Sequence, residues 1–513
     1  MKSISSSPWI LLWYCMVALP LLLLPFLVVV LLRYVRTKKA LKLPPGPPGW
    51  PLVGNLLQLG KKPHESLMAL AKAYGPFMTL HLGMKTAIVV SSPAMAKEIL
   101  KNNDRIFAGR TVIQAVKCLS YDEHSMIWCQ YGHRWDVIRK VFNTELMSSK
   151  RLESMKSVRR EQVFRMIGLI FEERGKSVNI GQIVFLASIN AFGNMMFSRN
   201  MFESECCASG GAGEFKDIIW RIMELGGTPN IADVFPFLEW LDPQGIKAKM
   251  TECFTKIFDL FDKLIDDRLK GRSGSNIGDK DFLDILLDLK SNDGEDKALF
   301  TILGIKSLFL DMFQAGPDEI STTVEWAMSE FLKNPHSLKQ AQEEISRVVG
   351  YDKRVEESDT ENLPYLQAVI KEVFRLHPTA PLLSNRAETS CEIAGFHIPK
   401  HAQTIINVWA IGRDPNVWSD PLQFNPSRFL DCDIDYKGHH FELLPFGAGR
   451  RMCPGLPLGN KMVKLILASL LQSFEWSLPH GQSIDMTEKF GLALQKAVPL
   501  KAFPTPRLSI DLY

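Results

Sequence analysis

From Pro445 to Gly455 the chain reads Pro-Phe-Gly-Ala-Gly-Arg-Arg-Met-Cys-Pro-Gly, a glycine-rich loop that presents one cysteine and runs into an apolar stretch from Leu456 to Phe474. That stretch carries helical spacing at Leu465, Ile466, Ala468, Ser469, Leu471 and Gln472. Proline suits a first helical turn, so Pro454 places Cys453 at a helix N-terminus. There, unpaired backbone N–H groups and the positive end of the helix dipole favour thiolate, the form that ligates metal. Gly447, Gly449 and Gly455 leave room for a tight turn or a large planar group, and Arg451 offers a fixed cation to a cofactor carboxylate. Read alone, the residues also allow a buried free cysteine in an ordinary glycine turn.

Phe446, Gly449, Arg451, Cys453 and Gly455 fall in the pattern Phe-x-x-Gly-x-Arg-x-Cys-x-Gly, which resembles the haem-binding signature of the cytochromes P450. The resemblance implies haem b with Cys453 as axial ligand. Glu372-Val373-Phe374-Arg375 resembles the family's Glu-x-x-Arg pair, on one helix face. Pro426-Ser427-Arg428-Phe429 resembles its Pro-x-Arg-Phe segment, with Ser427 where glutamate is usual. Glu372, Arg375 and Arg428 are then expected to form a structural network behind the haem. Trp135-Asp136-Val137-Ile138-Arg139 resembles the Trp-x-x-x-Arg helix whose two side chains address a haem propionate, and Arg386 is expected as a further propionate contact.

Trp9 to Leu32 contains no charged residue, and Arg33, Arg36, Lys38, Lys39 and Lys42 follow. A helix of that length crosses a hydrocarbon layer of ~30 Å, and the basic cluster stays cytosolic by the positive-inside rule. Pro44-Pro45-Gly46-Pro47-Pro48-Gly49-Trp50-Pro51 is extended and stiff, like the hinge of microsomal members of the family. The expected organisation is an anchor over residues 1–32, a basic and proline-rich hinge over 33–51 and a haem domain over 52–513. The nine cysteines are odd in number and hold no Cys-x-x-Cys pair, which argues against a disulfide framework and a structural zinc site. A net charge of +4 without a basic stripe excludes nucleic acid as partner.

The fold expected is mainly α with a small β subdomain, the cytochrome P450 fold, preceded by one transmembrane helix. Strands are expected at Phe77–Leu82, Thr86–Val90, Ile393–Ile398 and Gln403–Val408. Helices are expected at Leu67–Tyr74, Met95–Asn102, Lys247–Lys270, Asp281–Lys290, Thr301–Leu332, Pro335–Val349 and Pro364–Leu376, with a flexible loop over Lys270–Lys280. In the family, the long helix near residue 315 carries Ala/Gly-Gly-x-Asp/Glu-Thr over the open haem face, and the threonine helps deliver protons to dioxygen. Here the sequence is Ala315-Gly316-Pro317-Asp318-Glu319-Ile320-Ser321, with Glu319 in place of the alcohol. Pro317 has no N–H for the Phe313 carbonyl, so the helix opens there. Asp318, Glu319 and Ser321 are the candidate catalytic residues: Glu319 is read as a proton relay, as a counter-ion for a substrate amine, or as turned away from the haem.

Within the family, Cys453–Leu458, Glu325–Glu330 and Gly227–Asp233 resemble plant geraniol-type terpenoid hydroxylases and benzylisoquinoline-alkaloid oxidases. The resemblance implies an enzyme at the endoplasmic reticulum membrane that takes electrons from NADPH–cytochrome P450 reductase and oxidises a lipophilic plant metabolite with O2, by hydroxylation. Phenol coupling or ring closure without oxygen insertion is the alternative, motivated by the missing threonine, and a non-catalytic haem sensor is the remote one. Pocket walls are expected from Ile113–Met126, Phe309–Glu319, Ala380–Leu383 and Leu492–Ala497. Arg450, Lys461, Lys464, Arg139 and Lys140 are expected to form a basic patch for the reductase.

Overall fold

A computed structural model describes residues 42–201, 212–271, 280–291, 299–479 and 481–513. The expected anchor, and the hinge up to residue 41, lie outside them.

A four-stranded sheet takes the order β1 (Phe77–Leu82), β2 (Lys85–Val90), β4 (Gln403–Asn407), β3 (Leu382–Arg386). β2 and β4 run parallel, with Val90 opposite Ile406, and the other pairs are antiparallel. The strand expected over Ile393–Ile398 is instead a hairpin of Cys391–Ile393 and Phe396–Ile398, because Ala394 and Gly395 both take positive φ and reverse the chain. Small strands β5 (Glu488–Lys489) and β6 (Gln495–Lys496) pair near the C-terminus.

Most of the remainder is helical. The longer helices include α1 (His133–Val141), α2 (Lys156–Glu172), α3 (Ile180–Phe197), α4 (Ile246–Gly271), α5 (Ile302–Ala315), α6 (Pro317–Lys333), α7 (Pro335–Val348), α8 (Pro364–Leu376) and α9 (Leu456–Ser473), of which α1, α3, α5, α6, α8 and α9 reach the site. α2 and α3 were not expected from periodicity. α3 buries most of its length, from Val184 and Phe185 to Met195 and Met196, and leaves little open beyond the narrow stripe of Gln182, Leu186, Asn190 and Asn194, too thin a polar face to mark it as a helix. It is long and apolar enough to cross a membrane, yet most of it is buried inside the domain. α6 packs against α3, α8 and α9, and this group forms the main core.

The helix expected over Thr301–Leu332 is two helices. Thr301 caps α5 by accepting the Gly304 N–H at 3.0 Å. The break falls at Gly316, followed by Pro317 in the first turn of α6. Gly316 also admits Phe192 of α3, whose ring atoms would lie 2.2 and 2.3 Å from an added Cβ.

Candidate functional site: a thiol facing a buried carboxyl

A cavity of about 370 Å³ opens where the α5–α6 joint, the 126–147 segment, β3 and the cysteine loop meet. Met126, Ile127, Phe192, Met312, Ala315, Ala380 and Leu383 give it an apolar lining, and Cys453 and Glu319 reach into it. Of the expected walls, Ile113–Ser125 and Leu492–Ala497 are not in contact with it. The latter stretch lies behind α6, where the Leu494 carbonyl accepts Trp326 Nε1–H at 3.2 Å.

The cysteine loop turns through Gly447 and Gly449, at φ of 67° and 69°. A Cβ at Gly449 would stand 1.9 Å from the Leu100 carbonyl oxygen, so this position tolerates no side chain, although Gly449 does not itself line the cavity. Phe446 lines the cavity and meets Phe374 edge to face at 5.2 Å. α9 begins at Leu456, not at Pro454 as expected, with Pro457 in its first turn. Cys453 nevertheless keeps its place at the helix mouth: its Sγ accepts the N–H groups of Gly455 and Leu456. Burial pushes the thiol up, while those N–H groups and the Arg139 cation act against that rise.

Three guanidinium groups, those of Arg110, Arg139 and Arg451, line the cavity. Arg451 donates to the carbonyls of Ala108, Met126 and Cys129, and its guanidinium lies 4.6 Å from the centre of the Trp135 ring. Trp135 Nε1–H is held by the Met126 carbonyl at 3.1 Å, and Arg139 lies over the same ring at 5.8 Å. Burial presses Arg451 down to about 9 and Arg110 down to about 10. Buried cations held by neutral carbonyls are incompletely compensated, and an anionic cofactor edge supplies what they lack. The residues present therefore fit haem: a thiol on one face, an apolar space and cations for its carboxylates.

Arg386 is a correction. Its guanidinium pairs with Glu388 at 2.9 Å and with Gln130 at 3.0 Å, and it lines a separate surface pocket. As part of β3 it points away from the thiol, and Arg110, which the sequence reading missed, takes the cavity position.

Among the candidate catalytic residues, Glu319 alone faces the cavity. It hydrogen-bonds Thr379, which also lines the cavity, and burial raises its carboxyl to about 7, with a further push from Asp318. Asp318 turns outward, where Gln495 Nε2 donates to both of its oxygens at 2.9 Å, and burial raises it to about 6. Ser321 Oγ donates to the Asp318 carbonyl at 3.0 Å, and neither residue lines the cavity. The expected roles of Asp318 and Ser321 beside the cofactor are therefore corrected. Successive helical positions lie about 100° apart, so neighbours of a cavity-facing residue face elsewhere. Thr323, one turn on, also lines the cavity, but its hydroxyl donates to the Glu319 carbonyl at 2.8 Å.

Behind the loop, Glu372 accepts Arg375 at 2.7 Å on each oxygen, Arg428 at 3.1 Å and the Asn425 N–H at 2.8 Å. Arg375 also donates to the carbonyls of Gly412, Pro421 and Gln423, and both members of the pair are fully buried.

The expected basic patch is thinner than its sequence suggests. Arg139 lies in the cavity, and Lys464 is buried against Glu361 at 3.2 Å. Lys461 lies 3.4 Å from Glu357, which also holds Arg159. Arg450 and Lys140 remain exposed.

The family model for Cytochrome P450 matches residues 44–502. Geraniol 8-hydroxylase of Swertia mussotii is 44% identical, over 92% of this chain and 95% of that protein. (S)-N-methylcoclaurine 3'-hydroxylase isozyme 1 of Papaver somniferum is 42% identical, over 91% of this chain and 94% of that protein. A zebra fish cytochrome P450 solved with abiraterone superposes with a TM-score of 0.72 at 26% identity, covering 87% of this chain and all of that one. With the thiol, its glycine cradle and the Glu372 network in one place, these matches show that the chain belongs to the cytochrome P450 family and is a haem monooxygenase.

Proposed function

We propose that the enzyme hydroxylates a lipophilic plant terpenoid or alkaloid, the classes named for its hydroxylase relatives. The observation that carries this reading is the apolar cavity with Cys453 on one side and the Glu319–Thr379 pair on the other. Haem, when bound, supplies the activation of dioxygen. The chain supplies an apolar space that excludes water, a thiolate donor and a proton-handling group.

Glu319 with Thr379 takes the part of the missing helix alcohol. The Thr379 hydroxyl lies beside the carboxyl, which, raised to about 7, holds and releases protons near neutrality. Because burial raises this group, the protonated form dominates below that value and the proton is lost above it. Turnover of the wild-type enzyme is therefore expected to fall as pH rises through about 7. In Glu319→Gln, kcat drops roughly 10²-fold and its pH dependence flattens. A Gln variant that keeps the wild-type profile removes Glu319 from proton handling.

The missing helix alcohol favours a second reading, oxidative coupling or ring closure. Microsomes containing the enzyme, a plant reductase and NADPH, given geraniol and N-methylcoclaurine among other terpenoids and alkaloids, separate the two by product mass. Hydroxylation adds one oxygen atom; coupling removes two hydrogens.

For localisation we infer a single-pass anchor in the endoplasmic reticulum with a cytosolic domain, supported by the uncharged run Trp9–Leu32 and the basic residues after it. Exposed Trp50, Leu52 and Leu57 and exposed Phe237, Trp240 and Leu241 flank the Gly83–Met84 turn, which bonds the carbonyls of Val53 and Val234. An apolar surface of that kind suits a bilayer. NADPH–cytochrome P450 reductase is the proposed electron donor, and Arg450 and Lys140 are its proposed contacts. Reversing both charges is expected to slow reductase-supported turnover severalfold, most at low salt, with substrate affinity unchanged.

A further inference from the structure

Asp311 is the one charged residue in the second half of α5, only 2% exposed, and it lies in the cavity wall without being part of the chemistry described above. Four donors from one short segment converge on its carboxylate. Tyr121 Oη–H and Ser125 Oγ–H donate to Oδ1 at 2.5 and 2.6 Å, Met126 N–H donates to Oδ2 at 2.7 Å, and the Ile127 N–H also donates. Ser125 Oγ in turn accepts Ile127 N–H at 3.1 Å and Trp128 N–H at 3.2 Å. Residues 121–128 are thus wrapped around one carboxylate and its hydroxyl neighbour. The segment contains no long helix of its own that would otherwise fix it.

What this segment offers the cavity is equally specific. Met126 and Ile127 form part of the apolar wall. Its carbonyls hold the polar rim: Met126 O accepts Trp135 Nε1–H and Arg451, Ile127 O accepts Arg110 at 3.2 Å, and just beyond the segment Cys129 O accepts Arg451 at 2.7 Å. Displacing the segment therefore shifts both the space for a bulky ligand and the cations at the cofactor edge. A buried carboxylate that loses its charge leaves several donors unsatisfied, and relaxation of the segment toward water relieves them.

We propose that Asp311 is a positioning residue that sets ligand specificity: it latches the 121–128 segment as one wall of the cavity and, through that segment's carbonyls, fixes Arg110, Trp135 and Arg451. Its action is indirect, and the inference does not depend on which substrate the enzyme takes.

The test uses the haem-loaded full chain and the variants Asp311→Asn and Tyr121→Phe/Ser125→Ala. The second removes two donors and leaves the carboxylate in place. Spectral titration is done with imidazole, which needs little beyond access to the iron, and with a bulky aryl azole that fills the wall space; haem transfer to apomyoglobin is timed separately. In Asp311→Asn, aryl-azole affinity is expected to weaken about tenfold and haem transfer to quicken about tenfold, while imidazole affinity stays within about twofold. Tyr121→Phe/Ser125→Ala is expected to move the same way by a smaller factor. Parallel weakening of both azoles, or a lowered melting temperature with the azole ratio and haem transfer unchanged, would overturn the proposal. If Asp311→Asn yields no holoprotein, the double variant decides on the same readouts, and an unchanged azole ratio there overturns it.

Discussion

Replacing Cys453 by alanine is expected to abolish turnover while leaving a folded domain. The side chain contributes little to the core: its sulfur faces the cavity, and its hydrogen bonds are the two N–H groups of Gly455 and Leu456. The backbone of the loop stays held, because Cys453 N–H donates to the Phe446 carbonyl at 2.9 Å whatever the side chain. A stability loss below about 1 kcal/mol follows from removing a small group at a cavity wall. What disappears is the thiol that would hold the haem iron, and with it the electron donation that a thiolate ligand would supply to the haem's oxygen chemistry. The reduced carbon monoxide spectrum should lose the band characteristic of thiolate ligation, and NADPH-supported product should fall to background. Normal product formation by Cys453→Ala would mean that another residue ligates the iron.

Glu372→Ala is expected to have the opposite character: the chemistry is untouched and the fold fails. The glutamate stands between two guanidinium groups, and both it and Arg375 are fully buried. Removing one member of such a network leaves the other charges uncompensated, at a cost of about 3–5 kcal/mol. That is a large part of a typical total stability of about 5–15 kcal/mol. Arg375 also ties α8 to the carbonyls of Gly412, Pro421 and Gln423, so its displacement reaches the long segment that leads to the cysteine loop. Expression is expected to give little haem-loaded protein, and residual holoprotein should melt well below wild type. Glu372→Gln should fail less completely, because the amide oxygen still accepts one guanidinium. Wild-type holoprotein yield and melting temperature in Glu372→Ala would remove the network from the account of stability.

The contrast between these residues and those that escaped the sequence reading has a physical origin. Cys453, Phe446 and Arg451 sit on one short loop, and Glu372 and Arg375 on one helical turn, so linear spacing already fixes which groups face each other. The helix break at Gly316–Pro317 was legible for the same reason, since a missing N–H acts locally. Asp318 and Ser321 were misplaced because a motif gives neighbours in sequence, whereas the direction of each side chain depends on how α6 is rotated about its axis. Arg386 was misplaced because strand alternation lets a shift of one residue choose the opposite face. Thr379 and Arg110 reach the cavity from segments far from the motifs, and no local pattern announces such a meeting. Asp311 did carry a signal, a lone carboxylate in an apolar run, which is costly unless something nearby satisfies it.

The joint at Gly316 divides labour along what would otherwise be a single rod. The first rod, α5, carries Asp311 and with it the wall that meets the ligand; the second, α6, is clamped among α3, α8 and α9 in the main core. Adaptation to a new molecule can therefore proceed at the few positions of α5 that face the cavity, while the rest of that helix stays in the core. Substitutions at Met312 or Ala315 trade one ligand shape for another, whereas those at Phe309, Phe313 or Trp326 cost thermal tolerance. A chain built this way can diversify its chemistry by changing a few positions at one end of a helix.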